Sequence, residues 1–395
     1  MLEHRKKTLL QKTLKLIYQL YAKITWAIFD AVFHLLLRPP PPPKKIRSVL
    51  HISYISHKPH MLSRAMKNYG LRSAYLALCA ESNYLKMGKK GYDWNLPGQN
   101  VIERKILRPW RIFYLFVRYL RHFDVIHYHF ASLLDEKGRE IPYLKQLGKV
   151  IVFHFRGCDL RQRSLNMRQN PYLNCCMHCD YPLGSCETPR QYLRIHLAQQ
   201  YANCLFVTTP DLLDFLPQAE HIPFIAPVGV EWEKIQPMPK RKNTFRIVSS
   251  TNHPGIDGIH YIRQAIQKLQ KENPSIEWIV LQKVPFDQTL RWYKSADLYV
   301  GKLLMGYYNN AHIECMALGV PTMGYIRKEF QTPDCPVIPI TPKTLYKELK
   351  NYLSQPQTLA NIAQQGPAFV HRHHHPTKVV KRLLEKYSQA LSSPF

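Results

Sequence analysis

The chain has 395 residues, 45% of them hydrophobic and 12% aromatic, which suffices for two domains of ordinary size and excludes a largely unfolded chain. Lysine and arginine number 55 against 27 aspartate and glutamate residues, so the formal net charge is +28 at pH 7. Such a charge favours anionic partners, namely nucleic acid, acidic lipid or phosphate-bearing ligands, and its even spread does not choose among them. Nine cysteines and no recognisable secretory signal predict a reducing compartment with mostly free thiols.

The N-terminal region predicts a long helix followed by a stiff spacer. Within residues 8–37 the polar residues recur at steps of three, four or seven and share one stripe: Lys12, Lys15, Gln19, Lys23, Asp30 and His34. Lys23 and Asp30 interrupt the apolar remainder, which therefore suits the membrane interface better than a transmembrane span. The alternative is packing on the protein's own body or on a partner. Pro39 to Pro43 follow as a polyproline spacer.

Short apolar strands then alternate with helices. The first series has predicted strands at 48–55, 73–79, 124–130, 149–155 and 204–210, with helices at 60–70 and 109–123. The second has predicted strands at 244–251, 277–284, 297–304 and 320–326, with helices at 258–273, 286–296 and 310–318. Residues 225–243, rich in proline and charge, suit a linker between the two series. The alternation predicts an α/β protein whose parallel sheets carry helices on both faces.

Glu314 stands in the run AHIECMALGVPTMGY (311–325), among mainly small and apolar residues. An ionised carboxylate is costly to bury unless it is paired or holds a ligand. Glu314 lies about one turn inside a predicted helix, and the free N–H groups at the N-terminus of a helix attract phosphate. A carboxylate at this point can accept hydrogen bonds from a ribose diol. The alternative is a surface glutamate favoured by the helix dipole.

The segment GYYNNAHIECMALGVPTMGYI (306–326) resembles the donor-binding segment of retaining glycosyltransferases of the GT-B fold, the family-four-like group also called glycosyl transferases group 1. Three further segments resemble stretches of that family: VFHFRGCDLR, VTTPDLLDFLP and FIAPVGVEWEKIQP. The resemblance covers roughly residues 46–390. It implies an α/β fold of two Rossmann-like domains that face a cleft.

The resemblance also implies a division of the chain. Residues 44–228 would form the acceptor domain and residues 229–376 the nucleotide-sugar domain. Residues 1–43 would add the amphipathic, membrane-associating helix with its proline spacer. A helix within residues 377–395 would pack back on the first domain.

The activity implied by the resemblance is transfer of a hexose-type sugar from a nucleotide sugar to a cell-envelope or lipid-linked glycan, with retention of configuration and without a cofactor. Glu314 is expected to hold the ribose, and Lys302 with the helix N-terminus is expected to hold the phosphates. The other expected donor-binding residues are Gly306, Tyr307, Asn309, Asn310, Asn252 and Arg156. Such an enzyme of polysaccharide biosynthesis is expected in the cytoplasm, peripherally bound to the anionic inner face of the cell membrane.

Two positions depart from the family's pattern. The family usually carries a second glutamate eight positions before Glu314, where this chain has Gly306. It usually carries a lysine before the glycine that opens the first helix of the second domain, where this chain has Asp257 before Gly258. Lys302, at the end of a neighbouring strand, is expected to supply the missing positive charge. A non-catalytic protein that binds a glycan or a nucleotide sugar therefore stays open as the alternative to an enzyme.

Histidines follow the ends of two adjacent predicted strands. His127 and His129 end one strand, and His154, Arg156 and Asp159 close the next. Because the carboxyl ends of parallel strands meet at one sheet edge, we expect His127, His129, His154 and Asp159 to position the acceptor or stabilise charge during catalysis. Arg156 is expected to pair with phosphate. The alternative is a set of hydrogen-bonded structural histidines.

A cysteine-rich segment, NCCMHCDYPLGSCETP, lies in the first series. Cys176 and Cys179 have the C-x2-C spacing of zinc ligands, and Cys186 follows. A structural zinc on these three residues, reduced thiols and a loop disulfide all stay open, because a second C-x2-C pair is missing. Nucleic-acid binding is the rival explanation of the net charge, but no zinc finger, helix-turn-helix or RNP-like signature is visible, which disfavours nucleic acid as a partner.

Overall fold

The computed structural model describes residues 2–36, 43, 45–54, 57–78, 92–96, 106–182 and 184–392. Its contacts divide the chain into two units. The first unit comprises Met1–His154, Leu193–Leu205 and Leu384–Phe395, and the second comprises Phe155–Tyr192 and Phe206–Leu383. The domain limits expected after residues 43, 228 and 376 stay predictions.

The chain up to residue 221 builds a seven-stranded sheet. Its elements in chain order are α1 (Leu2–Leu36), β1 (Ser48–Ser53), α2 (His57–Asn68), β2 (Arg72–Ala77), β3 (Trp94–Asn95), α3 (Arg108–Arg118), β4 (Val125–His129), α4 (Glu140–Gln146), β5 (Val150–Phe155), α5 (Arg163–Gln169), α6 (Pro189–Tyr201), β6 (Cys204–Val207) and β7 (Glu220–His221). The strand order is β3-β2-β1-β4-β5-β6-β7. Strands β2, β1, β4 and β5 pair in parallel. The direction in which strands are added reverses between β1 and β4, which is the switch point of this sheet.

Strands β1, β4 and β5 form the buried centre of the first sheet. Every residue of these strands is buried, which explains why the sequence shows continuous apolar runs here instead of an alternation of apolar and polar residues. Four of the buried residues are histidines: His51 on β1, His127 and His129 on β4, and His154 on β5. The centre of this sheet therefore combines an apolar core with a group of imidazole rings.

Helix α1 packs one aromatic face on the first unit and leaves an apolar face exposed. Trp26, Phe29 and Phe33 are buried, and the Phe29 ring lies edge-on to Phe113 and Phe116 with centroids 5.1 and 5.5 Å apart. The exposed face carries large apolar side chains that are 43–67% exposed: Leu16, Ile17, Leu20, Ile24 and Ile28. Among the described residues, no helix is long and apolar enough to cross a membrane. Packing on the protein's own body therefore accounts for one face of α1.

The rest of the chain builds a five-stranded parallel sheet. Its elements are β8 (Phe245–Ser250), α7 (Pro254–Asp257), α8 (Ile259–Glu272), β9 (Ile276–Leu281), α9 (Phe286–Lys294), β10 (Leu298–Val300), α10 (Asn310–Ala317), β11 (Thr322–Gly324), β12 (Val337–Pro339), α11 (Leu345–Leu353), α12 (Pro356–His373) and α13 (Pro376–Ser392). The strand order is β12-β11-β10-β8-β9. The apolar residues of β8, β10, α8 and α11 share one buried core.

The predicted alternation of strands and helices is confirmed, with ends that differ by a few residues. The helix expected at 109–123 ends at Arg118 and continues as a 3-10 turn, Leu120–His122. The strand expected at 297–304 is limited to Leu298–Val300, because the chain leaves the sheet after Val300 and Lys302 adopts a positive φ of 55°. The predicted strand ends at 55 and 79 lie outside the described residues.

Candidate functional site

The second sheet has its switch point between β8 and β10. Counted from β8 as the first strand, the strand order is 2-1-3-4-5, and in such sheets ligands bind beyond the carboxyl ends of the two strands at which the order reverses. The chain segments at this point are the loop from β8 to α7 and residues 301–309, which lead into α10. Six expected donor-binding residues belong to these segments or to the first position of α10: Asn252, Lys302, Gly306, Tyr307, Asn309 and Asn310. The topology therefore supports a ligand site here.

Lys302 and Asp257 join the two segments by an ion pair. The Lys302 ammonium contacts the Asp257 carboxylate, which is 1% exposed. The Thr251 hydroxyl donates a hydrogen bond to Asp257 Oδ2 at 2.6 Å, and the Leu303 N–H donates to the Asp257 carbonyl at 3.1 Å. The pair carries no net charge. This differs from the expectation that Lys302 supplies a free positive charge for a diphosphate, because Asp257 takes up that charge.

Position 306 suits glycine alone. Gly306 has a φ of +81°, a left-handed conformation that favours glycine. A Cβ placed on it would lie 2.9 Å from Cδ of Arg327, whose guanidinium is held by Asp214 at 2.5 Å. The cavity beside this turn measures about 10 Å³, which is room for about one water molecule. Backbone conformation and Arg327 together account for a glycine at position 306.

Helix α10 begins with a capping box. Asn309 Oδ1 accepts the His312 N–H at 3.3 Å, and the Asn309 N–H donates to His312 Nδ1 at 3.4 Å. Burial lowers the pKa of His312 to about 3, so its imidazole is neutral near pH 7. Asn309 is therefore engaged in the cap. Asn310 Oδ1 is buried and has no hydrogen-bond partner among the described residues, so a hydroxyl or N–H of a ligand would satisfy it.

Glu314 lies one turn further along α10 and is 8% exposed, which excludes the surface alternative. Burial raises the pKa values of Tyr293 and Tyr299 well above the usual range, and the negative charge of Glu314 adds to this rise. The Tyr293 hydroxyl donates to Ser250 Oγ at 2.7 Å, and Ser250 Oγ lies 3.1 Å from the Tyr299 hydroxyl. Glu314 is thus a buried acid whose negative charge affects Tyr293 and Tyr299. Both tyrosines contact Ser250, the last residue of β8, which lies at the switch point.

Asn252 and Tyr307, the two other expected donor-binding residues of this region, differ in exposure. Asn252 is exposed in the loop after β8. The Tyr307 ring stacks on Tyr308 with centroids 4.2 Å apart and meets His221 edge-on at 5.6 Å. Burial raises the pKa of Tyr307 to about 12. Tyr307 therefore packs within the turn, whereas Asn252 is presented to solvent.

Asp159 closes a turn after β5. Its Oδ1 accepts the Gly157 N–H at 2.7 Å and the Arg156 N–H at 3.0 Å. Burial raises the pKa of Asp159, and these backbone N–H groups oppose the rise. Its carboxylate holds the loop, and the catalytic role expected from the sequence stays a prediction. Arg156, the expected phosphate ligand, is half-buried in the same turn.

His127, His129 and His154 lie together with a fourth histidine, His51. His51, His127 and His129 are fully buried, and His154 is 3% exposed. Because they are buried, these side chains are better described as hydrogen-bonded structural histidines than as groups that contact an acceptor directly. The sequence did not single out His51, because one histidine in an apolar strand carries no signal until its neighbouring strand is known. The informative signal is the parallel pairing of β1 with β4.

The cysteine-rich segment is not arranged as a zinc site. None of the eight cysteines among the described residues forms a disulfide bond. Cys176 is buried in a core of the second unit, and Cys179 and Cys186 are half-buried. Among the described residues, one group of three potential ligands has its ligand atoms within 4.8 Å of one another, and it consists of His51, His127 and His129. Among the described residues, the ligand atoms of Cys176, Cys179 and Cys186 are therefore not brought together as a zinc site would require.

Comparison with known proteins finds similar structures. No protein-family model and no curated protein matches the chain. Sucrose-phosphate synthase from Thermosynechococcus elongatus matches with a TM-score of 0.57 at 13% identity, over 88% of this chain and 100% of that one. Starch synthase IV from Arabidopsis thaliana, bound to ADP and acarbose, matches with a TM-score of 0.58 at 10% sequence identity, over 88% of this chain and 100% of that one. Anabaena HepE in complex with UDP-glucose matches with a TM-score of 0.55 at 11% sequence identity, over 87% of this chain and 99% of that one.

The chain has the GT-B fold. All three of these structures are GT-B glycosyltransferases, and each aligns with nearly nine-tenths of this chain. At identities of 10–13% the likeness concerns the fold. The fold expected from the resemblance of residues 306–326 is therefore confirmed, and α1 is the expected additional N-terminal helix of this GT-B protein.

Proposed function

We propose that this GT-B protein transfers a hexose-type sugar from a nucleotide sugar to a cell-envelope or lipid-linked glycan, with retention of configuration and without a metal ion in the reaction. The observation that carries the proposal is the place of Glu314, a buried acid one turn inside α10 at the switch point of the second sheet. A carboxylate can accept hydrogen bonds from both hydroxyls of a ribose. The N-terminus of α10 offers N–H groups and a positive dipole end to the phosphates.

Stabilising the departing nucleoside diphosphate is the main chemical task in such a reaction. The ion pair of Lys302 with Asp257 has no net charge to give. We therefore assign the phosphate contacts to the N–H groups at the start of α10 and to Arg156, which is half-buried in the second unit. Arginine suits this role because its planar guanidinium binds phosphate through two hydrogen bonds.

The relatives in structure support a nucleotide sugar as the donor. Anabaena HepE has been solved with UDP-glucose and with UDP, and starch synthase IV with ADP. A buried acid beside a helix N-terminus suits a nucleoside diphosphate, because the ribose hydroxyls can donate hydrogen bonds to the acid and the phosphates can accept them from the helix N–H groups. Because Glu314 and the start of α10 suit a nucleoside diphosphate, we propose that this chain also uses a nucleotide sugar as its donor.

The exposed face of α1 supports a membrane-bound acceptor. It presents Leu16, Leu20 and Ile24 to solvent on a chain with a formal charge of +28. Apolar side chains on an amphipathic helix insert at the headgroup boundary, and positive charge adds attraction to anionic lipid. We therefore place the protein on the cytoplasmic face of the cell membrane, within reach of a lipid-linked glycan.

Turnover of a donor panel tests the proposed function. Full-length protein is incubated with UDP-, ADP- and GDP-sugars, with and without lipid-linked or envelope glycans, and release of the nucleoside diphosphate is followed. We expect one donor to be consumed, and Glu314→Gln to lower kcat/KM by about tenfold or more, since hydrogen bonds to a charged acceptor are lost. Glu233→Gln changes an exposed glutamate of the same unit and is the matched control with an unchanged rate.

A non-catalytic nucleotide-sugar-binding protein is the second candidate. It is favoured by Gly306 and Asp257, which stand where the family has an acid and a lysine. This alternative predicts that a nucleotide sugar binds in calorimetry while no donor in the panel is hydrolysed or transferred. Release of nucleoside diphosphate that depends on Glu314 would exclude it.

A further inference from the structure

Four histidines line one face of the first sheet around its switch point, where β1 and β4 are neighbours. His51 on β1 pairs in register with His127 on β4, and His129 pairs with His154 on β5. Residues that face each other in adjacent strands, like residues two apart in one strand, project to the same side of a sheet. These four side chains therefore form one group, the histidine cluster, and strands rather than loops hold them in place.

The rings of the histidine cluster contact one another. His51 Nδ1 lies 3.0 Å from His129 Nε2, and His127 Nε2 lies 3.2 Å from His154 Nδ1. The rings of His127 and His129 stack with centroids 4.0 Å apart. His127 Nδ1 also lies 2.7 Å from the hydroxyl of Tyr387 on α13. No member of the cluster is more than 3% exposed.

Three of these rings meet the distance requirement for one shared metal ion. His51, His127 and His129 each offer a ring nitrogen, and the three nitrogens all lie within 4.8 Å of one another. Nitrogen ligands of a tetrahedral zinc ion lie about 2.1 Å from the ion and so about 3.4 Å from each other. Shifts of about 1 Å or less would bring the three nitrogens onto one ion. Imidazole is a ligand that suits Zn²⁺, Cu²⁺, Ni²⁺ and Co²⁺.

A chain of neutral, hydrogen-bonded imidazoles is the other arrangement that these distances allow. A neutral imidazole has one N–H and one lone pair, so every contact between two rings requires matched tautomers. A metal-bound histidine usually gives its second ring nitrogen to a hydrogen-bond partner. His127 has a neighbour at each nitrogen, Tyr387 at Nδ1 and His154 at Nε2. Whichever nitrogen binds an ion, the other keeps a hydrogen-bond partner, as a metal ligand requires.

We propose that His51, His127 and His129 bind a divalent transition-metal ion of the zinc class. The site belongs to the first sheet, and none of its three ligands is among the residues assigned to the donor. Three imidazoles leave a fourth position for water, and the ion would tie β1 to β4. The contact of Tyr387 with His127 would extend this tie to α13. Since the unfolded chain lacks the site, binding adds to the stability of the folded protein.

Cobalt is the probe for this site, because Co²⁺ occupies zinc sites and its absorption reports the type of ligand. Full-length protein freed of metal by dialysis against a chelator is titrated with Co²⁺ and then with Zn²⁺. We expect one Co²⁺ per chain and visible ligand-field bands without a sulfur-to-cobalt charge-transfer band. We also expect displacement of Co²⁺ by Zn²⁺ and a higher Tm for the loaded protein.

Two variants each remove one ligand and keep a side chain that forms hydrogen bonds. His51→Gln and His129→Gln are each expected to weaken Co²⁺ binding by about tenfold or more. His60→Gln changes a half-buried histidine of α2 outside the cluster and is the matched control with unchanged affinity. Circular dichroism checks the fold of each variant, and the second ligand variant gives the answer if the first does not fold.

Three results would overturn the metal site. The first is a folded wild-type chain that binds no Co²⁺. The second is a sulfur charge-transfer band that disappears in Cys176→Ser. The third is a ligand-field spectrum and a Co²⁺ affinity that stay unchanged in the folded ligand variants. A nitrogen-ligated spectrum that is lost in His51→Gln or His129→Gln and kept in His60→Gln supports the site, whatever the outcome of the donor assays.

Discussion

The side chain of Arg327 occupies the space that a side chain at Gly306 would need. A Cβ on Gly306 would come within 2.9 Å of Arg327 Cδ, and Asp214 and Glu329 both hold the Arg327 guanidinium. The turn into α10 is therefore built around a glycine and an arginine, at the position where the family that residues 306–326 resemble usually has an acid. Any direct contact with a donor sugar at this turn has to come from backbone or from neighbouring residues.

Gly306→Ala is expected to lower the free energy of unfolding by about 2–4 kcal/mol. The positive φ costs an L-residue about 1–2 kcal/mol, and moving Arg327 from its ion pairs adds the rest. Gly319→Ala is the matched control, because Gly319 also has a positive φ, +69°, but no atom lies within 4 Å of its added Cβ. Urea unfolding measures both variants. Equal losses in the two would show that Arg327 does not crowd position 306.

Lys302→Met is expected to destabilise the protein by about 3–5 kcal/mol, because it leaves the buried Asp257 carboxylate without its cation. Adding Asp257→Asn removes the uncompensated charge and should restore a large part of the loss. Denaturant unfolding of the single and double variants gives both values. If the double variant is no more stable than Lys302→Met, the two side chains are not coupled as an ion pair.

The free energy of unfolding should decrease as the pH is lowered below about 6.5, in part because of His312. Burial lowers its folded-state pKa to about 3, against the ordinary pKa of 6.5 for an unburied histidine. Between these pH values the unfolded chain binds more protons, so stability is fully present above pH 6.5 and decreases as the pH falls. At pH 5 the loss is about 2 kcal/mol.

Unfolding at pH 7.5 and pH 5.0 isolates the contribution of His312. His312→Asn is expected to be less stable at pH 7.5, since the contact of Nε2 with the Met323 carbonyl is lost, and to show a smaller difference between the two pH values. His371→Asn, at an exposed position of α12, should keep the wild-type difference. A wild-type pH dependence in His312→Asn would mean that other groups cause the acid sensitivity.

The exposed face of α1 should govern binding to anionic vesicles. The triple change Leu16→Ser, Leu20→Ser and Ile24→Ser removes three apolar side chains that are 52–67% exposed and should weaken co-sedimentation with anionic vesicles by about tenfold or more. Tyr172→Ser changes an aromatic residue that is 93% exposed elsewhere and serves as the control. Unchanged vesicle binding in the triple variant would leave this face without a lipid partner.

The elements could be predicted from the sequence, whereas their long-range partners could not. Buried parallel strands leave apolar runs that one sequence reveals, as for β1 and β4. Strand pairing joins residues that are distant in the chain: His51 and His129 are 78 positions apart, and Asp257 and Lys302 are 45 apart. The sequence predicted that His127, His129 and His154 lie at the ends of two adjacent strands. That His51 joins them, and that Lys302 pairs with Asp257, became visible only with the structure.

Local polar contacts set a second limit on prediction. The sequence indicates that Asn309 and Asp159 stand at element ends near a ligand site. The structure shows that Asn309 caps α10 and that Asp159 binds the N–H groups of its own turn. Short polar side chains are favoured at such ends for structural reasons alone. Glu314 differs because its neighbours in the sequence are mainly apolar. The sequence left a buried and a surface position open for Glu314, and the structure shows the buried one.

Calorimetric titration of nucleotide sugars tests most directly whether Glu314 and the start of α10 bind a donor. Wild-type protein, Glu314→Gln and Glu233→Gln are titrated with UDP-, ADP- and GDP-sugars under identical conditions. We predict that at least one nucleotide sugar binds the wild type and Glu233→Gln equally, and binds Glu314→Gln about tenfold or more weakly. Equal affinity for wild type and Glu314→Gln, or no binding of any nucleotide sugar, would contradict the proposed site.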